Sequence, residues 1–167
     1  MGVRSVVCGA VCSLFVVVVV WAGDPAIQAK SQVPWRPNPK VTPGDVCDAH
    51  DPDFDRLRYL EKIFYCHRNV DLSHRKAIYE QYGIPVQCRQ NFTIDHFIPL
   101  SLGGNNSPSN LWPEHKQIKA LRMNLENDLH LQMERAAITQ DEAIKKIVAA
   151  KMSPPQQAHL VVDPCFK

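Results

Sequence analysis

The chain has 167 residues, of which 45% are hydrophobic and 22% are charged. This length suits one compact domain and is too short for two sizeable ones, and the hydrophobic content excludes a wholly disordered chain. The formal net charge of +2 excludes a strongly basic coat, so any contact with a polyanion has to come from a local patch.

The first segment of the chain has the pattern of an export signal. Arg4 gives it a positive start, and an uncharged apolar run extends from Val6 to Ala22. We therefore predict a signal peptide over residues 1–29. A retained membrane anchor is the alternative, because a run of about 17 residues lies at the lower limit for a spanning helix. Both interpretations place the rest of the chain outside the cytoplasm, in a secreted or periplasmic location.

Four cysteines follow the predicted signal, and in an exported chain they indicate two disulfide bonds. They are Cys47, Cys66, Cys88 and Cys165. A zinc site is less favoured, since no two of the four form a C-x-x-C pair. Three pairings are open. We expect Cys66 with Cys88 and Cys47 with Cys165, and the second bridge would then join the two ends of the domain.

Proline marks the start of the domain. Residues 30–45 contain four prolines, which exclude a helix and predict an extended linker. The folded domain is therefore expected to span residues 46–167.

The elements predicted for this domain are short strands and helices. Asp71 or Ser73 can cap the first helix, because their side-chain oxygens accept the free N–H groups of its first turn, and Gly83 ends it. A T-x-x-E capping box at Thr139 and Glu142 opens the last helix. In chain order we expect a strand at 63–65, a helix from 71 to 82, a strand at 92–100, a glycine-rich loop at 101–109, a strand at 110–112, a helix at 115–136 and a helix from 139 to 153.

One stretch of the domain contains a motif with chemical content. It reads Asp95-His96, then Pro99, then Gly103-Gly104, then Asn110-Leu111. This pattern resembles the D-H-x-x-P-x-x-x-G-G…N-L core of the HNH endonuclease family, and the resemblance extends from Thr93 to about Glu134. Residues 59–85 also look like the leader of small exported HNH-like proteins. The resemblance implies an α+β fold: a ββα-metal finger with a short antiparallel hairpin and flanking helices, braced here by disulfides.

The resemblance also implies a role for each motif residue. His96 would be the general base, since the pKa of histidine suits deprotonation of water near neutral pH. Asp95 would hold a divalent metal ion, Mg²⁺ first, with Mn²⁺, Zn²⁺ or Ni²⁺ as alternatives. Asn110 would fix the loop and the base.

The sequence departs from the family pattern at Lys119, where the family places a histidine or asparagine. A protonated lysine cannot bind a metal ion. His115 is the nearest substitute and is our candidate for the second metal ligand. Glu126 and His130 lie on the same flank of the predicted helix, further from its start, and are weaker candidates. If His115 is not a ligand, the active site is degenerate.

Three cations along the same helix are candidates for contact with phosphate groups: Lys116, Lys119 and Arg122. The leading hypothesis is an exported, metal-dependent endonuclease that hydrolyses phosphodiester bonds of DNA, or of RNA, with little sequence preference. The alternative is a catalytically decayed HNH-scaffold protein that binds nucleic acid or a protein partner. A third hypothesis is a disulfide-braced structural protein whose histidines have no catalytic role.

Overall fold

A computed structural model describes residues 33–122, 124–153 and 155–166. The predicted signal peptide lies outside these residues. The described chain folds as an α+β domain with two small antiparallel hairpins, α-helices on either side of the second hairpin in sequence, and two disulfides. None of the helices described is long and apolar enough to cross a membrane.

The first hairpin joins β1 (Phe54–Arg58) to β2 (Ile63–Cys66). The sequence predicts the second strand but not the first, because the segment before it is acidic and rich in turn formers. Antiparallel pairing places Leu57 opposite Phe64, and both side chains are exposed. Ile63 is buried in the core, so the hairpin covers the core with one face only.

Helix α1 spans Leu72–Gln81, and its predicted cap and end are confirmed. The Asp71 carboxylate accepts a hydrogen bond from the backbone N–H of His74 at 2.8 Å. Gly83 follows the helix with a φ of +64°, a conformation that glycine adopts without strain. Ile78 is buried against the hairpin that comes next in the chain.

The second hairpin joins β3 (Phe92–His96) to β4 (Leu111–His115). Its register places Asp95 opposite Trp112. Helix α2 (Lys116–Ala120) begins at the residue after β4. The order of elements in this part of the chain is therefore strand, strand, helix.

The strand predicted over 92–100 ends early, at His96. Asn110 explains the difference. Its Oδ1 accepts from the Ile98 N–H at 2.8 Å, and its Nδ2 donates to the Ile98 carbonyl oxygen at 2.9 Å. These side-chain bonds take the place of the backbone hydrogen bonds that a partner strand would make with Ile98. The chain therefore leaves the strand and enters the loop. A Cβ atom on Gly104 would overlap the carbonyl oxygen of Ile98, so this loop requires glycine there.

The single long helix predicted over 115–136 is wrong. The chain forms two helices, α2 and α3 (Leu125–Glu134). Between them, Asn124 has a φ of +71°, in the left-handed region that asparagine tolerates better than most residues. The Arg122 side chain is buried at the break and donates to the Glu114 carboxylate at 2.9 Å, which ties the chain after α2 back to β4.

Helix α4 spans Gln140–Met152, and its predicted capping box is confirmed. The Thr139 hydroxyl accepts from the N–H of Glu142, and the Glu142 carboxylate accepts from the N–H of Thr139. Helices α3 and α4 pack on the loop after β3 and on β2 to form the main core. Its buried residues are Ile63, Ile98, Leu102, Leu129, Met133, Ala143 and Ile147.

All four cysteines within the described residues form disulfides, but the expected pairing is wrong. Cys47 pairs with Cys66, with 5.8 Å between their Cα atoms, and Cys88 pairs with Cys165 at 6.0 Å. Cys66 ends β2 beside the segment that carries Cys47, whereas the C-terminal tail packs over the short 3-10 segment that carries Cys88. Two disulfides are typical of a protein that folds in an oxidising compartment outside the cytoplasm.

The described part of the proline-rich segment packs on the domain. Pro37 and Thr42 are fully buried. The Thr42 hydroxyl donates to the Leu111 carbonyl oxygen at 2.9 Å and lies 2.7 Å from the Tyr82 hydroxyl. Residues 33–45 therefore contribute to the folded unit, which the sequence places from residue 46 onward.

Candidate functional site

Asp95 is buried in β3, and two lysines bind its carboxylate. Lys151 Nζ donates to Oδ2 at 2.9 Å, and Lys119 Nζ donates to Oδ1. Burial alone would raise the pKa of Asp95, but the two ammonium groups hold this pKa well below its usual value. Asp95 is therefore an anion near neutral pH, and both of its oxygens are occupied by hydrogen-bond donors.

Lys151 is buried at the centre of this ion cluster. Its Nζ donates to three oxygens: Asp95 Oδ2 at 2.9 Å, the His96 carbonyl at 2.6 Å and Glu126 Oε1 at 2.7 Å. Burial disfavours the charged amine, but the surrounding carboxylates outweigh this effect and raise the pKa of Lys151 above its ordinary value. All three ammonium hydrogens are used, so the side chain is fixed in place.

Glu114 and Arg122 form a second pair in the same cluster, with Arg122 Nη1 donating to Glu114 Oε1 at 2.9 Å. Burial, and next the nearby Asp95 carboxylate, raise the pKa of Glu114 to about 7. Arg122 was a predicted phosphate contact, but its guanidinium points inward. Its Nη2 donates to the backbone carbonyl oxygens of Trp35, Lys151 and Ser153.

A groove of about 410 Å³ opens beside Asp95, between α1, β3 and α2. Two predicted phosphate contacts, Lys116 and Lys119, line it. Among the residues that the structure describes, Lys116, Arg68 and Arg75 form no ion pair. The charged lining consists of Arg68, Arg75, Lys116, Lys119 and the carboxylate of Asp95.

His96, the residue after Asp95, points to the opposite face of β3. Its Nε2 lies 3.0 Å from Asn106 Oδ1, and its Nδ1 lies 3.4 Å from Arg68 Nη1. Asn106 donates its own Nδ2 to Asp53 Oδ2 at 2.8 Å, so its oxygen faces the imidazole. This network places the proton on Nε2 and leaves a lone pair on Nδ1.

Burial lowers the pKa of His96, and the Arg68 guanidinium lowers it further, against the hydrogen bond with Asn106 that raises it. His96 is therefore neutral near pH 7. It is only 4% exposed and does not line the groove directly. Arg68 connects the two, because the same guanidinium lines the groove and covers Nδ1 of His96.

His115, the candidate second metal ligand, lies at the far end of β4 from Asp95. Its Nε2 is 3.3 Å from Asp163 Oδ2, and its Nδ1 accepts from the N–H of Gln117 at 3.3 Å. The ring also makes an edge contact with Phe92, with 5.1 Å between ring centroids. Both nitrogens are occupied, and the structure does not bring His115 to Asp95.

The two weaker candidates lie in different surroundings. Glu126 belongs to the ion cluster, because it accepts from Lys151 at 2.7 Å. His130 is turned away from the cluster: its Nδ1 lies 2.6 Å from the Tyr59 hydroxyl, and its Nε2 lies 3.5 Å from Glu134 Oε1.

Asn110 lies fully buried between the hairpin and the loop. Besides its two bonds to Ile98, its Nδ2 donates to the Asn105 carbonyl oxygen at 2.9 Å. Its own carbonyl oxygen accepts from the N–H of Phe97 at 2.7 Å, directly after His96. Asn110 thus fixes the loop and the backbone next to the imidazole, without touching the ring.

A divalent cation at Asp95 does not fit the residues as they are placed, because ammonium groups occupy both carboxylate oxygens. Within the described ranges, Cys47, Asp51 and Cys66 bring three ligand-type atoms within 4.8 Å of one another. The two cysteines are joined in a disulfide, so their sulfurs are not thiolates, the form that binds metal.

Four residues of this site were not predicted from the sequence: Arg68, Arg75, Glu114 and Lys151. A signal for Lys151 exists, because it continues the buried stripe of α4 at intervals of four residues after Ala143 and Ile147. A lysine on an apolar stripe predicts a buried ion pair. We see no comparable local signal for Glu114 or Arg68, whose environments depend on packing between distant segments.

No protein-family model matches the chain, and no curated protein or solved structure matches it either. The information on function therefore lies in the site, which combines a basic groove, a buried ion cluster and a neutral histidine in one disulfide-braced domain.

Proposed function

We propose that this chain is an exported protein on an HNH-like scaffold that binds the phosphate backbone of nucleic acid in the groove beside Asp95. The charge of the groove is the observation that carries the proposal. Four cationic side chains line it, whereas Asp95, its acidic residue, is already paired with Lys119 and Lys151. The groove is therefore a concentrated positive surface on a protein whose net charge is only +2.

Phosphate recognition suits the groups in this groove. Arg68 and Arg75 present planar guanidinium groups, which bind phosphate oxygens in pairs, and Lys116 adds an exposed ammonium group. These contacts position a backbone but do not read bases. We accordingly expect weak sequence preference and binding of both DNA and RNA.

The strand, strand, helix order of β3, β4 and α2 supports the HNH-like part of the proposal, because it is the order that the motif implies. The disulfides support export, since they persist in the periplasm or outside the cell.

The test of the groove is a double variant, Arg75→Gln with Lys116→Gln, in a fluorescence anisotropy titration of labelled DNA and RNA. Removing two phosphate contacts is expected to weaken binding about tenfold and to reduce the slope of log K against log salt by about 2. Lys145→Gln with Lys146→Gln on the exposed face of α4 makes the same charge change outside the groove and is the control. Equal loss in both double variants would contradict the proposal.

Hydrolysis of the bound backbone is the second candidate function, and His96 favours it. The imidazole is neutral, its Nε2–H is fixed by Asn106, and its Nδ1 lone pair faces Arg68 at 3.4 Å. An Arg68 side chain that turned toward a bound phosphate would give up its contacts with His96 and with the Ile94 carbonyl oxygen, and would uncover Nδ1 of His96. His96 would then be placed to accept a proton from an attacking water.

Plasmid digestion tests this second function. His96→Ala is expected to reduce nicking about 100-fold if the imidazole is the general base. His74→Ala, which removes an exposed histidine on α1, is the control. Parallel reactions with Mg²⁺ and with EDTA show whether a metal ion takes part. Equal cutting by wild type and His96→Ala would contradict hydrolysis by His96 and would leave nucleic-acid binding as the proposed function.

A further inference from the structure

The buried ammonium group of Lys151 has the surroundings of a bound metal ion. Three oxygens surround it at 2.6 to 2.9 Å: the Asp95 carboxylate, the Glu126 carboxylate and the His96 carbonyl. Carboxylate and carbonyl oxygens are also the ligands that hard divalent cations take in proteins. Helix α4 thus places the ammonium group of Lys151 at the position between these oxygens that a metal ion would otherwise take.

Lys119 shares Asp95 but differs in its exposure. Its side chain is 44% exposed, against 3% for Lys151, and it lines the groove. Within the described chain its Nζ has one hydrogen-bond partner, Asp95 Oδ1. An ammonium group has three hydrogens. Two of them therefore remain to bind a ligand in the groove.

We propose that Lys119 and Lys151 act as built-in cations at Asp95, so that the groove binds a phosphate group without a metal ion, and that Lys119 donates directly to the phosphate oxygen. This inference rests on the proposed function for its ligand, the phosphodiester backbone. No covalent bond changes. Asp95 holds the Lys119 ammonium at the groove wall, and Lys151 holds Asp95 from the buried side.

The charges of the cluster explain why a metal ion is excluded. Lys119, Lys151 and Arg122 already supply three positive charges to Asp95, Glu126 and Glu114. A divalent ion at Asp95 would have to displace an ammonium group or lie beside it, and like charges at this distance repel strongly in a buried site. Removal of metal therefore leaves the phosphate site intact.

The test uses the purified protein in two measurements. The first is a calorimetric titration with Mn²⁺, in which wild type is expected to show no saturable site. The second is anisotropy with labelled DNA, in Mg²⁺ and in EDTA at matched ionic strength, in which EDTA is expected to leave affinity unchanged. Lys119→Met is expected to lower affinity about tenfold in both buffers, and Lys119→Arg to retain most of it. Lys146→Met is the matched control, and thermal unfolding confirms that each variant is folded.

Three outcomes would overturn the inference: saturable Mn²⁺ binding that Asp95→Asn removes, DNA affinity that is lost in EDTA, or DNA affinity that Lys119→Met leaves unchanged. Each of them would leave the role of the groove intact. Absence of DNA binding in both buffers would instead overturn the proposed function, and the Mn²⁺ titration would still decide between ammonium and metal at Asp95.

Discussion

Glu114 is the residue through which pH acts most directly on this structure. Burial and the Asp95 carboxylate raise its pKa from 4.5 to about 7. Between these two pH values the folded protein therefore binds a proton that the unfolded chain releases. Protonation of Glu114 therefore stabilises the folded state. This stabilisation is fully present below pH 4.5 and is lost as the pH rises through about 7.

Replacing Glu114 with glutamine is expected to remove this loss, because the amide stays neutral at every pH. In urea denaturation, the free energy of unfolding of wild type should fall by about 3 kcal/mol more than that of Glu114→Gln between pH about 4.5 and about 8. His96 and His115 titrate in both proteins, so the difference cancels their effect. Glu134→Gln, at a more exposed glutamate, is the control. Parallel pH profiles for wild type and Glu114→Gln would contradict the assignment.

Some residues of the candidate site can be predicted from the sequence, and the others cannot for a physical reason. The D-H motif and the departure at Lys119 identify two residues that the fold does bring together. Lys151 reaches Asp95 from 56 residues away, on another helix. Which helix packs over β3 depends on the whole core, and no local pattern near Asp95 contains that information.

At the scale of elements, the break between α2 and α3 shows the limit of periodicity. The apolar stripe of Ile118, Leu121, Leu125, Leu129 and Met133 continues across it, so the spacing predicts one helix. The break instead follows from the left-handed Asn124 and from buried contacts of Arg122 with distant carbonyl groups. The caps of α1 and α4 were predictable, because capping depends on residues within one turn.

Asn124→Ala is expected to destabilise the domain by about 1 kcal/mol, since alanine tolerates a positive φ less well than asparagine. Asn124→Gly should be neutral or stabilising for the same reason. Urea denaturation of both variants measures the effect. Asn127→Ala replaces an exposed asparagine of α3 and serves as the control. An Asn124→Ala protein as stable as wild type would show that the break does not depend on this residue.

At the scale of the whole molecule, the two disulfides close loops of different length. Cys88–Cys165 spans 77 residues and Cys47–Cys66 spans 19. The α+β class was predictable from the resemblance of the D-H, G-G and N-L motif to the HNH family. The use of Cys47, Cys66, Cys88 and Cys165 in two disulfides was predictable from their number in a chain with an export signal pattern. The pairing was not, because it depends on where the C-terminal tail packs, and that position is set by contacts such as Asp163 with His115.

Removing the longer bridge should have the larger effect, because it releases more chain entropy in the unfolded state. Cys88→Ser with Cys165→Ser is expected to lower the free energy of unfolding by about 4 kcal/mol, and Cys47→Ser with Cys66→Ser by about 3 kcal/mol. Guanidinium denaturation of the two double variants measures this order. A larger loss for the shorter bridge would show that native packing, rather than loop closure, dominates.

The docked segment at 33–45 has a consequence for how the chain reaches its native state. Arg122 binds the Trp35 carbonyl across 87 positions, and Thr42 binds that of Leu111 across 69. Contacts between residues so far apart in sequence form late in folding, because closing the long loop between them costs conformational entropy. We therefore expect the second hairpin to form before this segment packs on it, and refolding to be slower than in a simple helical bundle.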